Sequence, residues 1–395
     1  MTRFTITLPL LASVVTALPF SFTFKCQPHT NGLGDRLSST PVAVLEQPVT
    51  PIQIGSGSRA PPTPSPSLVS QAAHENGPPV HSSLGGGQPP ANQVQPIQAS
   101  PAPAPKTTKI KIPPGFTTTL FSDDFSDLAP GLPPSPSKWT IDTGNSYPGG
   151  PMNWGTNEIQ TYTNSPSNLA ITEAGTLRIT PTGPSYGVDV GGRWASARIR
   201  TKPEHDFAPQ AGKRTRIEAR LLVGAGNAQA GIWPAFWSLG AAYRDNYQNW
   251  PSVGEVDIFE TVNGLPSAWH TVHCGSSAVG GPCNESAGIG RSVPMSRGEF
   301  HTVAVEIDRT GGRHWSEETL QWSIDGAVTF TLAGARVGDE RAWTSLAHSP
   351  RFLLLNVAVG GGFPDAVAKT RTPALSTIGG VDAALEVDYV AVFST

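Results

Sequence analysis

Three acidic residues fall in one short segment whose other residues are mostly apolar. The segment spans residues 254–262 and reads GEVDIFETV. Residues two apart in a β-strand share a face, so Glu255 and Asp257 should point the same way. Glu260 follows Glu255 by an odd number of positions and would enter the apolar face, where burying an unpaired carboxylate is costly. We therefore predict a one-residue β-bulge near 258–259, which returns Glu260 to the face of the other two acids.

Two carboxyl groups on one face suit the acid–base and nucleophilic chemistry of glycoside cleavage. At ~3.3 Å per residue, the bulged strand separates the Cα atoms of Glu255 and Glu260 by about 13 Å. Side chains that lean together would bring the carboxyl groups to about 5–6 Å, nearer the ~5–5.5 Å of retaining glycosidases than the ~6.5–9.5 Å of inverting ones. Three carboxylates this close cannot all ionise cheaply, so one holds a proton near neutral pH. The spacing predicts one ionised nucleophile and one protonated acid without deciding which glutamate is which.

Two other interpretations fit the acids taken alone. They could line an exposed strand face as solvated charges, or they could bind Ca²⁺, because that ion prefers oxygen ligands. If the site is catalytic, we expect Asp257 to hydrogen-bond Glu255 and to keep the protonation states of the two glutamates apart.

Tryptophans are frequent around this segment. All ten stand at position 139 or later. We expect Trp154, Trp250 and Trp269 in loops, while Trp233 and Trp237 belong to a second extended run. Flat aromatic rings stack on the apolar faces of sugars, and tryptophan offers the largest such surface. Core packing explains any one of them, but so many together favour a carbohydrate-binding cleft.

Two histidines follow the acidic segment. We expect His270 to be structural, as a single histidine usually is. His273 has the opposite parity in the same run. It can therefore reach the face of the acids and donate a hydrogen bond to the catalytic acid or to the sugar.

The three cysteines are Cys26, Cys274 and Cys283. Export favours pairing, and only the last two lie within one short loop of the folded region, so we predict a Cys274–Cys283 disulfide. Cys26 is left over, either free or removed by processing. The sequon NES at 284–286 predicts N-glycosylation of Asn284 on a surface loop.

Residues 113–395 alternate apolar and polar side chains in short runs separated by Gly, Asn, Pro and Asp. Examples are TLRIT at 176–180, HTVAVEI at 301–307 and TLQWSIDG at 319–326. Such alternation predicts antiparallel strands with one face in a core. The chain has 42 Gly and 39 Pro, only 14% charged residues and no sustained helical period. We predict an all-β fold, a single β-sandwich of two antiparallel sheets.

The first 112 residues differ from the rest. Arg3, the apolar stretch at 8–18 and the small residues at 15–17 predict a signal peptide over 1–19. Residues 20–112 are rich in Pro, Ser and Gly and nearly lack aromatic side chains. They cannot bury enough apolar area to offset an ordering entropy of roughly 1–2 kcal/mol per residue. We predict a disordered linker there.

The overall charge excludes several kinds of partner. A formal net charge of −3, with no Lys/Arg-rich run, argues against nucleic acid. No later apolar stretch is long enough to cross a membrane. We expect a secreted monomer, extracellular or in a cell wall, that acts on a polysaccharide without a cofactor or a metal in its site. A structural Ca²⁺ on the convex side of the sandwich is left open.

Together these residues resemble glycoside hydrolase family 16, in its laminarinase-like (endo-β-1,3-glucanase) branch. The resemblance covers about residues 120–395, and its signature E-x-D-x-x-E stands at 255–260. Other segments that resemble the family are WGTNEIQTY at 154–162, SARIRT at 196–201, GIWPAFW at 231–237, NVAVGG at 356–361 and VDYV at 387–390.

This resemblance implies a jelly-roll sandwich with a cleft on its concave sheet and a retaining double displacement. By position it implies that Glu255 is the nucleophile, Asp257 its assistant and Glu260 the acid/base. The implied substrate is β-1,3-glucan, or mixed-linkage β-1,3/1,4-glucan. Two alternatives on the same fold remain, a glucan-binding lectin-like module and a wall-remodelling transglycosylase.

The resemblance also implies a set of substrate-binding residues. Trp233, Trp237 and His273 match residues that line the family's cleft, and Asn157 and Trp154 are further candidates. Phe363 stands where laminarinases usually carry a tryptophan. That difference and the insertion between the two paired cysteines leave the exact linkage open.

Overall fold

The computed structural model describes residues 110–183, 193–312 and 314–395. All of these belong to one compact unit. The predicted signal peptide (1–19), Cys26 and most of the predicted linker (20–112) lie outside the described residues. No helix in the described ranges is long and apolar enough to span a membrane.

Strands dominate the described part of the chain, as the alternating pattern predicts. In chain order they are β1 Thr118–Asp123, β2 Trp139–Asp142, β3 Thr161–Tyr162, β4 Leu169–Ile171, β5 Leu177–Ile179, β6 Ala195–Ser196, β7 Arg198–Thr201, β8 Arg214–Val223, β9 Ile232–Gly240, β10 Glu255–Glu260, β11 Ser267–His273, β12 Ile289–Pro294, β13 His301–Asp308, β14 Thr319–Ile324, β15 Ala327–Ala333, β16 Arg351–Val359 and β17 Leu385–Ser394.

The helices are short and lie between strands. Three are α-helical, namely α1 Gly334–Val337, α2 Glu340–Ala347 and α3 Gly362–Ala368. Helix α2 begins after Asp339, whose side chain accepts a hydrogen bond from the amide of Ala342 and caps the first turn. Single 3₁₀ turns occur at Met152–Gly155, Pro203–His205, Ala241–Arg244, Trp315–Glu317 and Val381–Ala383.

Two large antiparallel sheets pack as a sandwich, which confirms the predicted fold class. The site sheet has seven strands in the order β12-β11-β10-β9-β16-β7-β2. The back sheet has the order β15-β14-β13-β8-β17-β5-β4, and β1 pairs with β17 beside this path. Strands β3 and β6 form a separate parallel pair.

The core lies between the two sheets and explains which face of each strand is left for chemistry. Val256 and Ile258 of β10 belong to the same buried cluster as Leu353 and Leu355 of β16 and Val305 of β13. The alternate residues of the site sheet therefore point away from the back sheet. That outward face carries the polar and aromatic side chains described below.

The structure tests two predictions about loops. Cys274 and Cys283 form a disulfide, as predicted, and both are fully buried. Trp154 lies in a 3₁₀ turn and Trp250 in an irregular segment, again as predicted. Trp269 is not in a loop but in β11, where it pairs with Glu260. The prediction for Trp269 was wrong because the strand continues past the bulge of its neighbour β10.

Candidate active site

The predicted bulge is present in β10. Against β9, Asp257 pairs with Trp237 and Phe259 pairs with Phe236, so Ile258 has no partner. The pairing of β10 with β11 shifts over the same residues. The extra residue restores the parity of Glu260 relative to Glu255.

Two side chains hydrogen-bond the backbone carbonyls of the bulge. The indole Nε1 of Trp322, in the back sheet, donates to the carbonyl oxygen of Asp257 at 2.9 Å. His270 Nδ1 lies 2.8 Å from the carbonyl oxygen of Ile258, and its Nε2 lies 3.0 Å from Thr329 Oγ1. Burial lowers the pKa of His270 to about 4. The ring is therefore neutral, with Nδ1 as donor and Nε2 as acceptor. His270 is structural, as expected, because it is fully buried and hydrogen-bonds a backbone carbonyl of the bulge.

The strand before the bulge begins at a position that only glycine fits. Gly254 has φ +74°, and a Cβ there would lie 2.4 Å from the carbonyl oxygen of Ser345. Any larger residue would clash with this backbone and would strain the left-handed conformation. Gly254 thereby fixes the direction in which Glu255 enters β10.

Both candidate catalytic glutamates accept hydrogen bonds from indoles. Trp250 Nε1 donates to Glu255 Oε2 at 3.2 Å, and Trp233 Nε1 donates to Glu260 Oε1 at 2.8 Å. Asp257 is 3% exposed and Glu260 8% exposed. The interpretation of the acids as freely solvated charges is therefore wrong, since two of the three are buried.

Burial makes two of the acids hard to ionise. For Asp257, loss of solvation and the charges of Glu260, Glu255 and Glu285 raise the pKa well above its usual value. For Glu260, loss of solvation raises the pKa to about 7, although the bond from Trp233 favours the charged form. Both shifts favour the protonated carboxyl group, and Glu260, with its pKa of about 7, can lose or gain a proton near neutral pH.

Glu255 has more support for its ionised form. Loss of solvation raises its pKa, and so does the charge of Glu285. The charges of His273 and Arg198 and the hydrogen bond from Trp250 act in the opposite direction. The surroundings therefore give the acids different tendencies to ionise, as catalysis requires, and Glu255 is the best candidate for the ionised carboxylate.

His273 lies beside all three acids. It is directly opposite Glu255 in the β10–β11 pair. Its Nε2 is 3.6 Å from Asp257 Oδ2, and its Nδ1 is 2.7 Å from Glu285 Oε2. The histidine faces the acids as predicted, while Glu285 is a partner that sequence reasoning did not identify.

A buried chain of hydrogen bonds positions Trp237. Trp237 Nε1 donates to Asn356 Oδ1 at 2.7 Å, and Asn356 Nδ2 donates to the Tyr162 hydroxyl at 3.3 Å. Tyr162 in turn donates to Glu158 Oε2 at 2.7 Å. Loss of solvation raises the pKa of Glu158. The indole edge of Trp237 is therefore held by a relay that runs from β9 to the segment before β3.

Arg198 covers several aromatic rings on the same sheet. Its guanidinium carbon lies 4.6 Å from the centre of the Trp154 ring and 4.8 Å from that of Trp237. Its Nε lies 3.5 Å from Asp142 Oδ2. Cation–π contacts with desolvated arginine contribute about 2 kcal/mol. Arg198 contacts the rings of both Trp154 and Trp237. These two tryptophans, both predicted to bind substrate, therefore belong to one cluster.

The remaining candidates lie in different surroundings. Phe363 packs edge-on against Trp233 and Trp269, with ring centres 5.5 and 5.7 Å apart. Asn157 is exposed, with φ +63°. No contact of its side chain with the acids is found in the described residues, so its role in substrate binding stays a prediction. Trp154 Nε1 is buried and has no hydrogen-bond partner among the described residues, which leaves a donor for a ligand.

The acids and His273 do not form a good Ca²⁺ site. One ligand atom each from Glu255, Asp257 and His273 lies within 4.8 Å of the others. Ca²⁺ takes about six to eight oxygen ligands. This set offers an imidazole nitrogen and the carboxyl group of Asp257, whose raised pKa disfavours the ionised form that binds a cation. The donors suit acid–base chemistry better than binding of this ion.

Sequence reasoning missed residues that act from a distance along the chain. Trp322, Glu158 and Glu285 each contact the site from a different element. Arg198 was noted only as part of a family-like segment. An isolated acidic residue in an otherwise apolar or loop segment is the one signal that would have singled out Glu158 and Glu285.

The chain is similar to known glucanases in both sequence and structure. A family model described as XgeA-like, catalytic GH16 domain matches residues 225–301. The solved endo-1,3-β-glucanase from Streptomyces sioyaensis is 44% identical, has a TM-score of 0.65 and aligns over 72% of this chain and 99% of its own. The β-glucanase of Rhodothermus marinus is 31% identical over 176 residues, which are 44% of this chain and 55% of that protein. Glucan endo-1,3-β-glucosidase A1 of Niallia circulans is 28% identical over 215 residues, 51% of this chain and 26% of that protein. The matched regions thus span about half or less of these two curated relatives.

Replacing Trp322 by Phe should loosen the bulge. The change keeps an aromatic ring but removes the indole hydrogen bond to the Asp257 carbonyl, at a cost of about 0.5–1.5 kcal/mol. Urea unfolding would measure the loss. Trp343→Phe is the matched control, since this buried indole donates instead to Glu318. Both variants should lose stability, but only Trp322→Phe should also lower kcat. Equal kcat in both would contradict a role of Trp322 in aligning the acids.

Replacing Asp257 by Asn should stabilise the fold increasingly as pH rises. The folded protein holds the Asp257 proton more tightly than the unfolded chain does, so ionisation costs the wild type stability above the unfolded pKa. Asn cannot ionise and escapes this cost. Thermal unfolding from pH 4 to 8 should show no difference at the acidic end and a growing advantage of the variant towards neutral pH. A difference that does not change with pH would contradict a raised pKa of Asp257 in the folded protein.

Proposed function

The chain belongs to glycoside hydrolase family 16, and we propose from this premise that it hydrolyses β-1,3-glucans by a retaining double displacement. The observation that supports this most is the bulge in β10, which gathers Glu255, Asp257 and Glu260 on one face with different tendencies to ionise. A sugar-binding module has no need of a buried, partly protonated acid cluster, because such a cluster destabilises the fold.

In the first step Glu255 attacks the anomeric carbon of the sugar while Glu260 protonates the departing oxygen. Trp250 orients the Glu255 carboxylate through Oε2. Trp233 donates to Glu260 Oε1, so the transferable proton belongs on Oε2. A glycosyl ester of Glu255 forms, and the glycosidic bond to the leaving group breaks.

In the second step water replaces the enzyme at the anomeric carbon. Glu260, now ionised, removes a proton from the water, and the ester bond to Glu255 breaks. Asp257 lies on the same face, and its raised pKa favours the protonated form, which can donate a hydrogen bond to Glu255 as the carboxylate is released. Two inversions at one carbon give net retention.

The substrate class follows from the relatives. The solved Streptomyces protein is an endo-1,3-β-glucanase, and it aligns over nearly its whole length with this chain. The cleft offers Trp233 and Trp237 as stacking surfaces next to the acids. Mixed-linkage glucan is the second substrate to test, because Phe363, at a position where laminarinases usually carry a tryptophan, packs edge-on against Trp233. The proposal includes secretion through a signal peptide at 1–19 and a linker at 20–112.

Replacing Glu255 by Gln should abolish hydrolysis of laminarin. The variant lacks the nucleophile, so reducing-end release should fall by about 10⁴-fold or more while the fold persists. Glu299→Gln is the control, because the contacts of this exposed glutamate within the described residues are with Ser296 and His301, close to it in the chain. The first product of the wild type should be the β-anomer by NMR.

Other outcomes would contradict the proposal. Full activity in Glu255→Gln would remove this residue from the mechanism, and an α-anomer would refute double displacement. Binding of laminarin by the wild type without turnover would identify a binding module. Product transfer to added oligosaccharides at the expense of hydrolysis would identify a transglycosylase.

Activity should fall as pH rises through about 7. The pKa of Glu260 is raised to about 7, and only its protonated form can act as the acid. The alkaline limb of kcat/KM against pH should therefore have its midpoint near this value. In Glu260→Gln the limb should vanish, and glycosides with strongly acidic leaving groups should be cleaved much faster than laminarin. An unchanged limb in this variant would assign the titration to another group.

A further inference from the structure

Glu285 is a buried acid that the proposed mechanism does not use. Its side chain is fully buried. One carboxyl oxygen, Oε1, accepts the amide of Cys274 at 2.8 Å. The other, Oε2, lies 2.7 Å from Nδ1 of His273. A carboxylate is rarely buried unless it is paired, so this contact with His273 calls for an explanation.

The loop that carries Glu285 is braced on both sides. The disulfide between Cys274 and Cys283 closes it two residues before the glutamate. Gly280 and Glu285 also exchange two backbone hydrogen bonds, of 2.5 and 2.6 Å. The position of the carboxylate therefore depends on the loop's own covalent and backbone ties, not on substrate.

His273 stands between Glu285 and the catalytic acids. On one side its Nδ1 faces Glu285, and on the other its Nε2 faces Asp257 Oδ2 at 3.6 Å. That oxygen of Asp257 has no hydrogen-bond partner among the described residues. The ring centre of His273 lies 5.6 Å from that of Trp250, which also donates a hydrogen bond to Glu255.

We propose that Glu285 is a positioning residue for the reaction: its carboxylate accepts a hydrogen bond from the Nδ1–H of His273, which keeps His273 cationic and aimed at the acids, so that Glu255 can ionise. This rests on the proposed function of Glu255 as nucleophile. It adds a member to the site from a loop that no substrate atom needs to touch.

The charges around His273 agree with this role. Burial on its own would lower the pKa of His273, but the bond to Glu285 and the charges of Glu255, Glu285 and Glu260 outweigh it and raise the pKa. Burial and the neighbouring acids raise the pKa of Asp257, which favours its neutral form.

The charges of His273 and Glu285 have opposite effects on the pKa of Glu255. The His273 cation favours ionised Glu255, and it does so more strongly than the Glu285 anion opposes it. Arg198 and the Trp250 bond act in the same direction as His273 and do not depend on the loop. Glu285 therefore helps Glu255 only through the histidine. A direct effect would have the opposite sign.

The first test measures the histidine without substrate. Glu285→Gln keeps an oxygen for the Cys274 amide but removes the anion. The ring nitrogens of histidine are observed by ¹⁵N NMR during a pH titration, with His273→Gln identifying the signal. The titration of His273 should move to lower pH in Glu285→Gln and stay unchanged in the exposed control Glu299→Gln. An unmoved His273 titration would overturn the proposal.

The second test measures the reaction. In Glu285→Gln the acid limb of kcat/KM should move to higher pH, because Glu255 loses the cation that favours its ionised form. In a His273→Gln background, adding Glu285→Gln should produce no further upward shift. An equal upward shift in both backgrounds would show that Glu285 acts independently of His273. Thermal unfolding of each variant checks that the loop remains folded.

The two tests separate this inference from the function. If the wild type hydrolyses no β-glucan, the proposed function fails while the NMR titration still reports the Glu285–His273 pair. If the wild type is active and Glu285→Gln shows neither shift, the function stands and Glu285 is merely a structural tie for Cys274.

Discussion

The active face depends on one extra residue in β10. An insertion in a strand leaves backbone groups without their ladder partners, and in the interior of a sandwich such groups are expensive. Here the carbonyls of Asp257 and Ile258 are taken up by Trp322 and His270. The bulge is thus bound to the core from behind, and its geometry is part of the hydrophobic packing. The alignment of Glu255 with Glu260 follows from that packing.

The second theme is the cost of the buried charge. Several carboxyl groups share a small volume with one imidazole and one arginine, and loss of solvation raises the pKa of Glu255, Asp257 and Glu260. Such a cluster opposes folding and persists because the surrounding fold is stable enough to carry it. Hydrogen bonds from Trp250 to Glu255 and from Trp233 to Glu260, together with the contact between His273 and Glu285, reduce this cost for particular acids. Such differences in the stabilisation of the ionised form are what make one carboxyl group a nucleophile and a similar one an acid.

Much of this could be predicted from sequence because parity is a local property. Alternation predicts the strands, and the misplaced parity of Glu260 predicts the bulge, which the register of β10 confirms. The spacing of Glu255 and Glu260 does not show which one is the nucleophile and which one the acid. That assignment came from the family resemblance. Trp322 and Glu285 could not be predicted, because which strand lies behind the bulge and which loop folds back on His273 depend on tertiary packing. Glu285 was visible only as the middle of a glycosylation sequon.

The way Trp237 is held has a consequence for recognition. Its edge is fixed by Asn356, and one of its two faces is covered by the guanidinium of Arg198. A pyranose ring can therefore approach only from the opposite side, onto a surface that has no rotational freedom left to lose. If the proposed function holds, a sugar that stacks on this face costs the protein little conformational entropy, so binding there depends on preorganisation rather than induced fit.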